Sequence, residues 1–66
     1  MDIQEVKTKV AQIKQSSGDD ERAHEMEDRL RAAVLRHIAE SAPSPWRELA
    51  AETLKTDEID FARWCG

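Results

Sequence analysis

Cysteine, glycine, proline and aromatic residues are all scarce in this 66-residue chain, and each shortage removes a class of protein. A single cysteine, Cys65, leaves no partner for an intrachain disulfide and fits a reducing cytosol better than a disulfide-stapled scaffold. The two glycines, Gly18 and Gly66, cannot supply a phosphate loop, a dinucleotide fingerprint or a hydrolase elbow, which need glycine at fixed offsets. Tyrosine is absent, and Trp46, Phe61 and Trp64 are the only aromatics. No apolar run approaches the roughly 20 residues needed to span a bilayer. The N-terminal stretch Met1 to Lys14 is amphipathic, unlike the continuous apolar segment of a signal peptide. These absences lead us to expect a soluble cytoplasmic protein without membrane contact. The net charge of −4, with 10 basic and 14 acidic residues, argues against a general nucleic-acid binder, which carries a basic patch.

What the chain does contain is helical periodicity. Ile3, Val6, Val10 and Ile13, spaced 3, 4, 3, form one narrow stripe and predict a first helix from about Ile3 to Ser16. Asp2 can cap it, with Glu5 three residues on, and Ser16, Ser17 and Gly18 stop it, Gly18 suiting the left-handed position after a helix. A second helix begins after Asp19 or Asp20 and reaches about Ser41, with Ala23, Met26, Leu30, Val34, His37 and Ile38 on its apolar face. Leu35 widens that face, so this half should touch two neighbours. Pro43 and Pro45 prevent continuation. Ser44 as cap and Pro45 at the first helical position predict a third helix whose apolar positions are Trp46, Leu49, Ala50, Thr53 and Leu54. Thr56 or Asp57 would then cap a short fourth helix over about Glu58 to Trp64. The fold expected is all-α: a single domain over residues 1–66, built as a helical hairpin plus two shorter C-terminal helices, three to four in all.

Only 15 large apolar side chains lie between Ile3 and Trp64, with nine alanines making up most of the remainder. A core this thin is marginal for a lone small domain and commonly draws help from a metal or a second chain. The metal alternative is poorly supplied. His24 and Asp28 share a helix face at i, i+4, with Asp20 one turn earlier, but His37 and Cys65 are far along the chain. His37 has no serine or cysteine at helical spacing with a third group to orient it. Cys65 sits near Arg63, opposed by Asp60 and the terminal carboxylate, which disfavours a reactive thiolate. No catalytic residue, metal or cofactor is expected, and the chain is read as a non-enzyme.

Charge is unevenly placed. Residues 19–28 hold six carboxylates against Arg22, a local net of −5; residues 29–47 hold four arginines against Glu40, a local net of +3. The helix dipole accounts for most of this, since it favours acid at a helix start and base toward its end. The alternative is a polar partner surface of two signs.

The segment ELAAETLKTDEIDFARW, Glu48 to Trp64, resembles a helix-turn-helix. It lacks the glycine usual in the turn, and its second helix would open on Asp57, Glu58 and Asp60, which phosphates repel. A DNA-binding regulator is therefore the second expectation. Two further pieces, Glu27-Asp28-x-Leu30 and the ending Leu54-Lys55-Thr56-x-x-Ile59-Asp60-Phe61-x-Arg63-Trp64-Cys65, resemble short hypothetical proteins of bacteria and their phages. That resemblance implies no chemistry, but it points toward a small protein that binds one host protein as an inhibitor or modulator. The leading expectation is thus a non-catalytic protein-binding module. Its contact residues would be Trp64, Arg63 and Phe61 at the C-terminal end, with Trp46 beside Arg47 as a further candidate anchor and Glu25 and Asp28 on the acidic face. Phe61 and Trp64 could equally cap the core. A third expectation is self-assembly, a homodimer with the Ile3-Val6-Val10-Ile13 stripe as its seam.

Overall fold

A computed structural model describes residues 1–61 of the chain. It contains three α-helices, α1 (Ile3–Gln15), α2 (Asp20–Ser41) and α3 (Trp46–Leu54), followed by a 3₁₀ turn, Lys55–Glu58. No strand occurs among the described residues, and none of their helices is long and apolar enough to cross a membrane.

The helix starts follow from side-chain chemistry. Asp2 accepts a hydrogen bond from the Glu5 backbone N–H at 2.8 Å, and Asp19 accepts one from the Arg22 N–H at 3.1 Å. Each cap satisfies one of the donors a helix start leaves without an intrahelical acceptor. The α1–α2 connection departs from expectation. Gly18 does not adopt the left-handed conformation. The Ser16 N–H reaches the Gln12 and Ile13 carbonyls, the Ser17 N–H reaches Lys14, and the Asp19 N–H reaches Ser16 at 2.9 Å. These tight turns use up the carbonyls that a glycine-terminated helix end would otherwise satisfy.

At the start of α3, Ser44 does not cap the backbone. Its hydroxyl donates to the Glu48 carboxylate. Pro45 stands one position before the first helical residue, its carbonyl accepting the Leu49 N–H at 3.1 Å. The fourth helix expected from Glu58 does not start there. The chain stays right-handed through Leu54 and Lys55, tightens into the 3₁₀ turn, and first becomes extended at Ile59. A new helix at Thr56 or Asp57 needs an extended cap residue before it. Instead the Thr53 and Thr56 hydroxyls bond back to the Leu49 and Thr53 carbonyls and prolong the old one. The turn-plus-helix expected over Glu48 to Trp64 therefore lacks the first turn of its second helix. The rest of that stretch, from residue 62, lies outside the described residues.

The helices share one layer. α2 is central, α1 and α3 each pack on it, and they make no contact with each other. The molecule measures 39 × 32 × 12 Å. The short dimension is about a third of either of the others, so the row of helices is flat, with α2 in the middle. Ala50, 4% exposed, is the only buried residue among those described. It lies on α3 where that helix meets α2, the most extensive contact in the molecule. A methyl group there lets two helices approach closely but buries little apolar area.

Candidate interaction surface

With about 100° between successive residues, α2 points three sets of side chains in different directions. Met26, Leu30 and Ala33 turn toward α1, where they line a shallow cleft of about 270 Å³ with Lys9, Gln12 and Ile13. Asp28, Ala32 and Leu35 turn nearly the opposite way, toward α3, and line a groove of about 230 Å³ with Thr53 and Leu54. Leu35 does widen the apolar stripe so that α2 serves two neighbours, as the sequence suggests. Val34 and Ile38 project between those flanks on one broad side of the layer. Arg22, Glu25, Arg29, Arg36 and Glu40 project on the other. Toward the C-terminal half of α2 the layer is therefore amphipathic, oily on one broad side and charged on the other, whereas toward its N-terminal half Glu27 and Arg31 project on the same side as Val34 and Ile38.

The oily face continues onto α3. Leu35, Ile38, Trp46, Leu49, Ala50 and Thr53 line a single open concavity of about 360 Å³ whose wall is almost wholly apolar. Trp46 is 60% exposed and Leu49 57%, although their spacing marks both as core positions. On α1 the stripe is rotated off the line of contact with α2, leaving Ile3 69% and Val10 53% exposed. These corrections have one cause. A core position buries its side chain only if a second layer covers it, and no described helix crosses over the top of the others.

The residues singled out for binding do not converge. Glu25 is exposed on the charged broad face, paired with Arg29 one turn on. Asp28 is directed to the α2–α3 groove, where its carboxylate lies 3.3 Å from His24 and shares the wall with Arg31 and Asp57. Phe61 follows the 3₁₀ turn and is 54% exposed. Arg63 and Trp64 lie outside the described residues, as does Cys65. The anchor the sequence ranked behind these, Trp46, is the one the geometry surrounds with other exposed apolar groups. The signal that could have found Leu49 beside it was the count of apolar side chains, too few to form a second layer.

Polar chemistry on the described surface is modest. His24, Glu27 and Asp28 bring three ligand atoms within 4.8 Å of one another. All three come from one stretch of α2, and Glu27 is already engaged with Arg31 at 3.3 Å. His37 is exposed, and among the described residues no side-chain hydroxyl is hydrogen-bonded to it. Glu48 has its carboxyl held below the usual glutamate range, chiefly by the Ser44 hydroxyl, with the Arg47 guanidinium 3.4 Å away adding to the effect. Comparison with protein families, with curated proteins and with solved structures finds no match.

Proposed function

We propose that this chain is a non-catalytic protein-interaction module that binds through the oily broad face of its helical layer. The observation that carries the reading is the cluster of Trp46, Leu49 and Ile38 around one open apolar concavity, in a molecule with a single buried residue among those described. Isolated exposed apolar side chains are ordinary, whereas a contiguous patch with an aromatic at its centre marks an interface. The charged residues beside it, Arg31 and Arg47, supply a polar rim of the kind that orients a partner more than it holds it. Phe61, with Arg63 and Trp64 after it in the chain, extends the anchor set, and Glu25 and Asp28 belong to the surrounding polar surface. Action as a phage-borne inhibitor or modulator of a host protein is part of this proposal, supported only by the resemblance of the chain's two motifs.

The test is capture of partners from a host lysate by wild type, Trp46→Ala and Arg36→Ala, with circular dichroism confirming equal helix content. A partner held by wild type and Arg36→Ala should be weakened by Trp46→Ala by about 30-fold, the roughly 2 kcal/mol of an interface anchor. Equal recovery by all three proteins removes this face from the function.

A further inference from the structure

Near its start, α2 gathers metal-ligating groups more closely than their spacing in the sequence requires. His24, Glu27 and Asp28 occupy positions i, i+3 and i+4 and so stand together across one turn of the helix. His24 Nε2 lies 3.3 Å from Asp28 Oδ2. Two ligands of a tetrahedral Zn²⁺, with bonds of about 2.0–2.2 Å, sit about 3.4 Å apart, so this pair already spans one edge of that polyhedron. All three ligand atoms fall within 4.8 Å of one another, which leaves Glu27 at most about 1.4 Å to close. The Arg31 ion pair takes up one of the two Glu27 carboxylate oxygens, and at 71% exposure of the arginine side chain it is screened by water. The surroundings favour a dication. Asp20 precedes His24 by one turn, Asp57 shares the groove wall with Asp28, and residues 19–28 carry a local net of −5, with Arg31 the opposing charge in that groove.

We propose that His24, Glu27 and Asp28 form a site for Zn²⁺, or for a divalent ion of the same borderline class, with its remaining position open to water. One imidazole nitrogen and two carboxylates are a donor set that Zn²⁺ accepts in four-coordinate geometry. Mg²⁺ and Ca²⁺ take oxygen ligands, and the imidazole selects against them. The helix supplies what three scattered residues would lack, because its backbone fixes their separation before the ion arrives. The site lies outside the concavity around Trp46 and stands whether or not that face holds a partner.

His37 provides an internal control. It is exposed on the same helix and belongs to no group of this kind among the described residues. The test is a titration with Zn²⁺ alone, following the imidazole NMR signals of both histidines in a Cys65→Ser chain, which removes a competing thiol. His24 should respond at about 100-fold lower Zn²⁺ than His37, the gain expected when tethered ligands act together. Mg²⁺ at the same concentrations should move neither. Glu27→Gln and Asp28→Asn should each weaken the His24 response by at least about 10-fold, the least that even an outer contact to a metal ligand is worth. Circular dichroism checks that each variant keeps its helix; if Asp28→Asn does not, Glu27→Gln alone carries the comparison. Equal responses at His24 and His37 overturn the site, since two lone surface imidazoles would behave that way. A tight His24 response that survives both substitutions also overturns it, because the carboxylates are then not ligands.

Discussion

Ser44 and Glu48 show how one local choice shapes the start of α3. Serine at that position is a standard backbone cap, but here its hydroxyl donates to the Glu48 carboxylate instead. The carboxylate is thereby fixed beside the first turn, where the helix dipole favours negative charge. The bond holds the Glu48 carboxyl below its ordinary range, more than Arg47 does. Because the folded value is the lowered one, the charged form is the one the fold prefers. The resulting stabilisation is complete above the ordinary glutamate range and disappears as pH falls through the lowered folded value. Glu48 is exposed, so solvent screens the effect and it remains local. A carboxyl-detected NMR titration should find Glu48 protonating below the ordinary glutamate range. Ser44→Ala should move it back up toward the ordinary range. An unmoved titration in that variant would mean Arg47, not Ser44, sets it.

At the scale of elements, the connection between α1 and α2 yields a second prediction. Gly18 looks from the sequence like a residue chosen for the left-handed region, where substitution would be strained. The structure gives it an ordinary conformation, and a methyl group added there would meet nothing within 4 Å. Gly18→Ala should therefore stabilise the hairpin by about 0.4–1 kcal/mol, because the unfolded chain loses freedom while the folded one gains no strain. Urea denaturation would read this as a higher midpoint at unchanged slope; a lower midpoint would place Gly18 in the left-handed region after all. The same turn illustrates what is legible in this sequence. α1 and α2 were readable almost to the residue, because Asp2 is a strong cap, the second cap lay within the pair Asp19 and Asp20, and apolar periodicity is strong in both helices. The break after α3 was expected at Thr56 or Asp57, two to three residues before the backbone turns extended at Ile59. Thr56 looks like a capping residue in sequence, yet its hydroxyl bonds backward to the Thr53 carbonyl, as that of Thr53 does to Leu49, and prolongs the turn. Periodicity also identified Trp46 and Leu49 as belonging to an apolar face. It could not say whether that face is covered, since exposure depends on how the three helices are arranged and not on any one of them.

For the whole molecule, the single-layer arrangement makes stability a question of partner concentration. Among the described residues, one buried alanine and a set of half-buried side chains on α2 remove little apolar area from water. A small domain of this kind sits near the limit at which folding offsets the conformational entropy of the backbone. If a partner supplies the second layer, most of the favourable term belongs to the complex, and folding and association become one equilibrium. Melting should then shift with partner concentration, each tenfold increase above the dissociation constant adding about 1.4 kcal/mol and raising the midpoint. Leu49→Glu should flatten that dependence and melt at the partner-free limit of wild type, because it removes the contact and not the helices. Gly18→Ala should raise the midpoint at every concentration and leave the slope as it was, since the hairpin turn is remote from the oily face. Melts of the isotope-labelled chain over a hundredfold range of a captured partner separate these behaviours. A wild-type midpoint that does not move would mean that the partner leaves the layer uncovered and that three helices are stable alone, with α2 contacts contributing more than their exposed surfaces allow.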